Sequence, residues 1–224
     1  MARRTQQQEL VALFATDTAV STYALIRDET AERKAAAFLL GDNLERTTQG
    51  GGIYTYTSQQ GAAAFRDTGS FDAAGSLSQE NAEAFCWDFC KAFSYDTPIF
   101  TLDETGSGTA TAVRLWNGTP VFNAAVTFTI DQGRVLSASG ALLPETGAET
   151  SSGQKPLSAF AALTAFQQMR HASSSVVSSI TEVSLCYELQ STTAAPMALV
   201  PSWRIVTDTA TFYVNCISGT VRRA

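Results

Sequence analysis

The sequence has a single histidine, His171, and four cysteines among its 224 residues. A Ser-His-Asp triad, a Cys-His pair or a histidine-based metal site would each have to use that one imidazole. No C-x-x-C pair is present. His171 follows Arg170 at the end of a predicted helix, where the helix dipole favours a cation, so a capping role explains it. We therefore predict a protein that is not an enzyme and that uses no metal or cofactor.

Basic residues are also few: fifteen Lys and Arg stand against 21 Asp and Glu, which gives a net charge of -6. Close basic pairs stand at the two ends of the chain, Arg3-Arg4 and Arg222-Arg223. Phosphate backbones and anionic lipid surfaces both require clustered cations. Neither nucleic acid nor a lipid surface is therefore an expected partner.

Long apolar runs are missing as well, since none reaches the roughly 20 residues that a helix needs to span a bilayer. No signal-peptide core is visible either. Residues 1–8 are polar and basic. They are typical either of the stub that follows a membrane anchor or of an ordinary cytoplasmic N-terminus, and the residues themselves favour neither.

The chain does have enough apolar residues, 45% of the total, to form a core in one large domain or in two to three modules. Residues 6–42 follow a helical pattern, either as one helix with a break near Asp17 or as two helices, and Gly41 is a natural end. The predicted apolar positions of this segment are Leu10, Leu13, Phe14, Val20, Tyr23, Ala24, Ile26, Ala31, Ala35, Phe38 and Leu39.

A small meander is predicted next. Gly50-Gly51-Gly52 ends a polar linker, and the β-branched and aromatic run 53–57 begins the first strand. Residues 62–67 and 69–72 continue the meander after a turn at residues 58–61.

The clearest pattern is an amphipathic helix that begins after Ser78, a good N-cap. Its apolar residues recur at helical spacing and must face a sheet. Strands follow at once, and Asn117-Gly118 is typical of a type I′ hairpin turn, which needs positive φ at both positions. The helical face consists of Ala82, Phe85, Cys86, Phe89, Cys90 and Phe93, and the predicted strands are 98–102, 109–116, 119–130 and 134–141.

The same order then repeats. Residues 144–153 are predicted to be a polar linker, Pro156 opens a helix, and segments 78–140 and 156–219 match in length and order, which indicates a duplication. The predicted helix stripe is Phe160, Leu163, Phe166 and Met169, followed by strands at 179–190, 198–207 and 211–217.

The predicted class is therefore α+β. Residues 1–75 form an N-terminal helical segment with a small β-meander. Residues 76–145 and 154–224 form two tandem helix-plus-antiparallel-sheet modules.

The cysteines are predicted to serve packing. Cys86 and Cys90 lie on the apolar face of a predicted helix and are expected to be small buried hydrophobes. Cys186 and Cys216 lie on predicted strands. A disulfide between them requires Cα atoms within about 7 Å, and the sequence leaves both the bridged and the free state open.

Other candidate sites have simpler explanations. The carboxylate pairs Asp28-Glu29 and Asp103-Glu104 are adjacent residues, and neighbours on a strand point to opposite faces, so a solvated turn is the better interpretation. The triple glycine lacks the Lys-Ser/Thr of a phosphate loop. Asn117-Gly118-Thr119 satisfies a glycosylation sequon, but the hairpin turn explains it.

The three tryptophans are Trp87, Trp116 and Trp203. Trp87 lies one position off the apolar face of its helix. It is expected either to cover a sheet edge or to anchor a protein contact, and the first role is the commoner.

Two stretches resemble known families. Pro201-Ser202-Trp203 followed by Tyr213-Val214-Asn215 and Gly219 resembles the "P-x-W" and "Y-V-N-x-x-x-G" strand pair of PepSY-like modules. The run from Ile53 to Phe71 resembles the first sheet of the YycH/YycI family, and residues 118–123 fit the middle module of those proteins. The resemblance covers residues 10–221.

The resemblance implies an extracytoplasmic regulator, anchored by an N-terminal transmembrane helix that these residues lack. It implies binding to a membrane sensor histidine kinase or to a sister regulator in two-component signalling for cell-wall homeostasis in Gram-positive bacteria, with a homo- or heterodimer as a further option. The alternative is a PepSY-like ligand-binding or protease-inhibitory module. The sequence assigns no residue to the interaction surface.

Overall fold

The computed structural model describes residues 20–77, 81–173, 177–191 and 195–224. The chain divides into two compact units. Among the described residues, the large unit comprises those within 25–148 and 189–198, and the small unit comprises 20–24 together with those within 149–188 and 199–224. Helices and antiparallel strands occur in both, so the predicted α+β class is confirmed. The module boundaries at residues 75, 145 and 154 stay a prediction.

The three helices in the described part of the chain are α1 (Glu29–Leu40), α2 (Ala82–Ala92) and α3 (Ala159–Ser173). Of these, α1 and α3 are each followed by four strands and α2 is followed by five. The strands are β1 (Val20–Leu25), β2 (Glu45–Thr48), β3 (Tyr54–Ser58), β4 (Gly61–Phe65), β5 (Ser70–Gly75), β6 (Ile99–Leu102), β7 (Gly108–Trp116), β8 (Thr119–Asp131), β9 (Arg134–Ala141), β10 (Ala148–Gln154), β11 (Ile180–Gln190), β12 (Met197–Thr207), β13 (Thr211–Asn215) and β14 (Val221–Arg223).

The large unit contains two antiparallel meanders joined at their last strands. The order is β6-β7-β8-β9-β5-β4-β3-β2, and β5 pairs antiparallel with β9 through Phe71↔Gly140 and Ala73↔Ala138. The first strand of each meander, β2 or β6, therefore lies at an outer edge. We call α1 with β2–β5 (residues 29–75) the first repeat of the large unit and α2 with β6–β9 (residues 82–141) the second. Each edge strand directly follows the helix of its own repeat, so the two edges are topologically equivalent.

One face of this sheet packs against α1 and α2. Phe89 of α2 is fully buried at the centre, and its ring lies 4.7–6.2 Å from five other aromatic rings. The helical face predicted for α2 is confirmed, because Ala82, Cys86 and Cys90 are buried with it. The five rings around Phe89 belong to Phe38, Phe71, Phe93, Tyr95 and Phe128.

The opposite face of the sheet carries small hydroxyl side chains. Thr109 lies opposite Thr129 and Thr111 opposite Thr127 across β7 and β8, and Thr109, Thr111 and Thr129 are exposed. Alternation along each strand explains both faces, because successive side chains point to opposite sides of the sheet.

Local signals fix the helix ends and the hairpin. The Asp28 carboxylate caps α1 by accepting from the N–H groups of Thr30 (2.9 Å) and Ala31 (3.0 Å), and Gly41, at φ 80°, ends the helix as predicted. Asn81 caps α2, while the predicted cap Ser78 lies outside the described residues. Asn117 and Gly118 both have positive φ (49° and 78°), which confirms the predicted turn.

The small unit packs α3 against strands centred on β12, which is a neighbour of β1, β11 and β13. Trp203 is buried in this core, and its indole N–H donates to the Leu157 carbonyl at 2.8 Å. The predicted stripe of α3 is partly wrong: Phe166 is buried, but Phe160 is 68% exposed. Ala159 and Ala162 take the inner positions instead, because small side chains allow the helix to approach the sheet closely.

Several predicted segments differ from the structure. Val20–Leu25 is a strand and not part of a helix, in keeping with its β-branched and aromatic residues. The predicted polar linkers contain the short strands β2 and β10, and β14 was not predicted. The helical pattern over residues 6–19 lies outside the described residues.

All four cysteines are buried and free, which confirms the packing role predicted for Cys86 and Cys90. Cys186 lies on β11 and Cys216 follows β13, and β12 lies between those two strands. Two strand spacings amount to about 9.6 Å, which exceeds the Cα separation that a disulfide spans. A bridge between Cys186 and Cys216 is therefore not part of this fold.

Candidate functional site

The outer side of β6 carries backbone N–H and C=O groups that form no hydrogen bond with another strand in the described part of the chain. The Asp103 N–H donates to the Ser107 carbonyl at 2.9 Å, and the same register pairs Thr101 with Thr109 and Ile99 with Thr111. Hydrogen-bonded pairs alternate along an antiparallel ladder. The N–H and C=O groups of Phe100 and Leu102 therefore point away from β7.

The side chains of this edge are apolar and partly exposed. Ile99 is 73% exposed and Leu102 is 37% exposed, whereas Phe100 packs against the core of the large unit. A charged side chain is one of the features by which natural edge strands discourage pairing with another chain. The four residues of β6 include none, although the shortness of the strand and Pro98 before it are themselves protective features.

A cavity of about 470 Å³ lies between the start of α2 and this end of the sheet. Leu102, Ile130 and Glu83 are among its lining residues. Trp87, which is 48% exposed, follows Glu83 by four positions and so lies on the same side of α2.

The position of Phe85 shows that this side of α2 faces away from α1. Phe85 precedes Trp87 by two positions, which places the two side chains about 200° apart around the helix. The Phe85 ring lies 5.2 Å from that of Phe38 in α1, so Trp87 is on the side away from α1. Because α1 contacts β3 and β4, the strands on that other side run toward β6. We call the surface formed by Glu83, Trp87, Phe100, Leu102 and Ile130 the edge groove.

Carboxylates flank β6 in the sequence. Asp96 precedes the strand and Asp103 and Glu104 follow it, and no Lys or Arg occurs between Lys91 and Arg114. Hydrogen bonds from Thr105 Oγ1 (2.7 Å) and from the N–H groups of Thr105 and Ser107 lower the pKa of Asp103. Asp103 therefore stays ionised at neutral pH, and the surroundings of the strand are acidic, although Arg134 also lines the cavity.

The equivalent edge, β2, has the same backbone arrangement. The Gln49 N–H donates to the Ile53 carbonyl at 3.1 Å, and the register pairs Thr47 with Thr55 and Glu45 with Thr57. The N–H and C=O groups of Arg46 and Thr48 therefore point outward.

Ionic contacts close the corner between β2 and α1. Arg46 Nη1 donates to Glu29 Oε2 at 2.8 Å, and the Tyr54 hydroxyl donates to Glu29 Oε1 at 3.1 Å. The Arg46 guanidinium lies over one side of the Tyr54 ring, 4.2 Å from its centroid. The hydrogen bonds from Arg46 and Tyr54 lower the pKa of Glu29.

Arg27 also lies over the Tyr54 ring, with its guanidinium carbon 3.8 Å from the centroid. It binds the Glu32 carboxylate through two hydrogen bonds of 2.7 and 2.9 Å and donates to the carbonyls of Gly52 and Phe65. Burial raises the pKa of Glu32 even though Arg27 opposes that shift. We call Arg27, Tyr54, Arg46, Glu29 and Glu32 the ionic corner.

Arg114 is a third feature of the large unit that the sequence did not indicate. Its side chain is buried, and its guanidinium donates to the carbonyls of Ser94 (2.6 Å), Leu115 (3.0 Å) and Leu143 (3.2 Å). Within the described ranges, no carboxylate lies within ion-pair distance of it. Burial lowers its pKa. Arg114 joins the end of α2 to the segment after β9, which is a structural role.

The residues considered from sequence do not converge on one site. His171 is exposed in the last turn of α3, Asp103 orders a turn, and Asp28 is a helix cap. Burial raises the thiol pKa of all four cysteines to about 12, which makes them poor nucleophiles. In the part of the chain that the structure describes, no group of three His, Cys, Asp or Glu side chains is placed to hold a metal ion.

Trp87 is the one sequence candidate that lies at the edge groove, whereas Trp116 and Trp203 are buried. Residues 98–102 were predicted only as a strand, with no site attached. Their apolar run between acidic residues was the available signal, but its meaning depends on β6 being an edge, which a single sequence does not reveal.

No helix in the described ranges is long and apolar enough to cross a membrane. No protein-family model matches the sequence, and no curated protein matches it.

Three solved structures align over most of this chain, and the first of them shares the fold. An uncharacterized protein from Eubacterium rectale aligns over 92% of this chain and 81% of its own, with 12% identity and a TM-score of 0.53. The C-terminal domain of YpeB from Bacillus megaterium aligns over 89% of this chain and 98% of its own, with 13% identity and a TM-score of 0.39. YycH from Bacillus subtilis aligns over 92% of this chain and 50% of its own, with 13% identity and a TM-score of 0.40.

Proposed function

We propose that this protein is a non-catalytic regulator that acts by binding another protein at the edge groove. The observation that carries the proposal is the difference between two equivalent sheet edges. The side chains of β2 are polar or charged, and Arg46 pairs with Glu29 of α1, whereas Ile99, Leu102 and Trp87 are exposed apolar residues at the edge at β6. Exposed apolar and aromatic side chains around a partly desolvated groove are typical of binding surfaces.

The partner that we propose is a membrane sensor histidine kinase or a sister regulator, met on the extracellular side of the membrane. This choice is supported by the resemblance of the Pro201-Ser202-Trp203 and Tyr213-Val214-Asn215 motifs to PepSY-like modules. These two motifs lie on the adjacent strands β12 and β13, in the small unit. Their side chains are largely buried, so the contact surface that we propose is the edge groove and not these motifs.

The test is co-purification of the native protein from membranes of its source cells after brief cross-linking. We expect a sensor kinase or a sister regulator to be recovered with the wild-type protein and to be reduced severalfold by Trp87→Ala. Phe160→Ala is the matched control, because Phe160 is an exposed aromatic residue on α3 outside the edge groove. Equal recovery with both variants would contradict the proposal, and so would recovery of no kinase or regulator.

A ligand-binding or protease-inhibitory module remains the alternative from the sequence resemblance. A module of this kind would need a deep apolar cleft between sheet and helix. The cavity at the edge groove is open and includes Glu83 and Arg134 among its lining residues, so the structure favours a peptide-like partner over a small apolar ligand.

A further inference from the structure

We infer that β6 binds its partner by strand addition, and that the added strand is an extended apolar segment flanked by basic residues. This inference rests on the proposed function and specifies how the partner binds. It is argued from the main-chain groups, the side chains and the charges at the edge groove.

The main chain provides the first step. Phe100 and Leu102 each present one N–H and one C=O on the side of β6 away from β7, as the register with β7 requires. An extended peptide that lies alongside can satisfy these groups in an antiparallel or parallel ladder. The chain segment that runs alongside β7 is longer than β6 itself, because Tyr95, before β6, also bridges to Arg114 in β7. An added strand therefore has room to extend beyond the four residues of β6.

The side chains provide the second step. Residues of an added strand alternate between the two faces of the sheet. One set would lie beside Ile99 and Thr101 on the open face. The other set would lie beside Phe100 and Leu102 and enter the cavity of about 470 Å³ next to α2, on the side of the helix that carries Glu83 and Trp87.

The charges identify the kind of segment. Asp96 precedes β6, and Asp103 and Glu104 follow it, so each end of an added strand lies near a carboxylate. A segment with Lys or Arg at both ends complements this pattern, while acidic ends are repelled. Because these carboxylates are exposed, the attraction should weaken as salt is added.

The same charges argue against a second copy of this chain as the occupant. Two copies of β6 that pair antiparallel with Phe100 opposite Phe100 would place Asp96 of each copy opposite Glu104 of the other. Like charges directly opposite each other on neighbouring strands are destabilising. A partner with basic flanks avoids this repulsion.

Fluorescence polarisation with a labelled peptide, Lys-Lys-Val-Thr-Val-Thr-Val-Lys-Lys, tests the inference on the full chain. We expect saturable binding that weakens at least tenfold when the four lysines are replaced by glutamate. Leu102→Pro removes the outward N–H of residue 102, which β7 does not use, and should weaken binding at least tenfold. Leu102→Ala keeps that N–H and should retain more of the affinity, and Thr48→Pro makes the same change at β2 and should leave binding unchanged.

Peptides with N-methyl groups provide a measurement that needs no protein variant. In an added strand, alternate N–H groups of the peptide point toward β6 and the others point away. Methylation of one alternate set should therefore abolish binding, while methylation of the other set should be tolerated. Equal affinity of the two methylated peptides would overturn strand addition, and so would lack of saturable binding of the parent peptide.

The outcomes separate this inference from the proposed function. A partner that co-purifies in a Trp87-dependent way, without any effect of Leu102→Pro, would keep the proposed function and remove strand addition. Peptide binding that depends on which alternate set of N–H groups is methylated, without any co-purified regulator, would support strand addition and contradict the proposed function. Dimers of the wild-type chain in analytical ultracentrifugation that Leu102→Pro abolishes would show that a second copy is the occupant and overturn the basic-segment proposal.

Discussion

The two edges of the large unit's sheet occupy equivalent places in two repeats, yet their side chains differ. At β2, Arg46 binds Glu29 of α1 and stacks on Tyr54, so the corner between helix and sheet is filled by paired charges. At β6, the corresponding corner has the exposed Leu102 and a cavity of about 470 Å³, whereas the cavity at the β2 edge lies beside Glu45 at the other end of α1. The main-chain groups at both edges point outward in the same way.

This difference shows that the fold does not decide which edge is available for binding. The repeated helix and meander place an unpaired strand at each side, and the side chains then make one edge charged and polar and the other apolar. Charged residues on an edge are a recognised way to discourage pairing with other chains. Binding by this protein is therefore expected to depend on a few residues of the second repeat.

The largest expected effect comes from the core that both edges share. Phe89→Ala removes a fully buried ring from the centre of the aromatic cluster and should lower the free energy of unfolding by about 3–5 kcal/mol. Urea denaturation measures this change. Because α1 and α2 both contact this cluster, the two edges should lose hydrogen-exchange protection together. Phe160→Ala, at an exposed ring, should change stability by less than about 0.5 kcal/mol, and protection lost at one edge only would contradict a shared core.

The next largest effect is a difference in stability between variants of the two arginines that stack on Tyr54. Arg27→Met leaves Glu32, with 8% of its side chain exposed, without its bidentate partner, and should cost about 2–3 kcal/mol, less than a fully buried pair would. Arg46→Met breaks an exposed pair, so urea denaturation should show a loss of under about 1 kcal/mol. Equal losses would mean that the ionic corner acts as one surface network without a buried part.

A charge introduced at each edge sharpens the comparison directly. Leu102→Lys should weaken binding of the basic peptide about tenfold, roughly 1.4 kcal/mol, because it adds a positive charge and removes an apolar contact. Thr48→Lys at β2 should leave peptide affinity unchanged. Both residues are exposed, so fluorescence polarisation should report these differences while thermal unfolding stays nearly constant. Similar weakening by the two variants would indicate a general charge effect.

The smallest expected effect is the order in which two glutamates of the ionic corner titrate. Burial raises the pKa of Glu32, whereas hydrogen bonds from Arg46 and Tyr54 lower the pKa of Glu29. As pH falls, Glu32 should therefore protonate first, which carboxyl NMR titration measures. Arg46→Met should raise the pKa of Glu29 toward its ordinary value and leave that of Glu32 nearly unchanged.

The two shifts also have opposite consequences for stability. A raised folded-state pKa gives Glu32 a contribution that is fully present below the unfolded pKa and is lost as pH rises through the folded pKa. The lowered pKa of Glu29 gives a contribution that is present above the unfolded pKa and is lost as pH falls through the folded one. Titration of Glu29 before Glu32 would contradict this assignment.

Local patterns predicted much of the second repeat. The spacing of Phe85, Phe89 and Phe93 predicted α2, and Asn117-Gly118 predicted its hairpin, because helical periodicity and positive-φ turns are encoded within a few residues. Val20–Leu25 was misassigned, since a short apolar run fits a helix face as well as a strand. Phe160 was placed in the core because spacing alone does not distinguish it from the small residue beside it.

The candidate site was much less predictable. An edge strand is defined by the absence of a second neighbour, which depends on how distant segments pair. Residues 99–102 therefore appeared as one strand among several, and residues 45–48 appeared as part of a polar linker, so the sequence did not reveal that both are edge strands. Arg114 was missed for the same reason, because its three carbonyl partners come from separate segments.

Hydrogen exchange of individual amides, measured by NMR with and without the basic peptide, tests the central claim most directly. In the free protein, the amides of Ile99 and Thr101 should be protected by β7, and those of Phe100 and Leu102 should exchange quickly. Saturating peptide should slow Phe100 and Leu102 at least tenfold and leave Arg46 and Thr48 at the β2 edge unchanged. Unchanged exchange at Phe100 and Leu102, or equal slowing at both edges, would contradict the account.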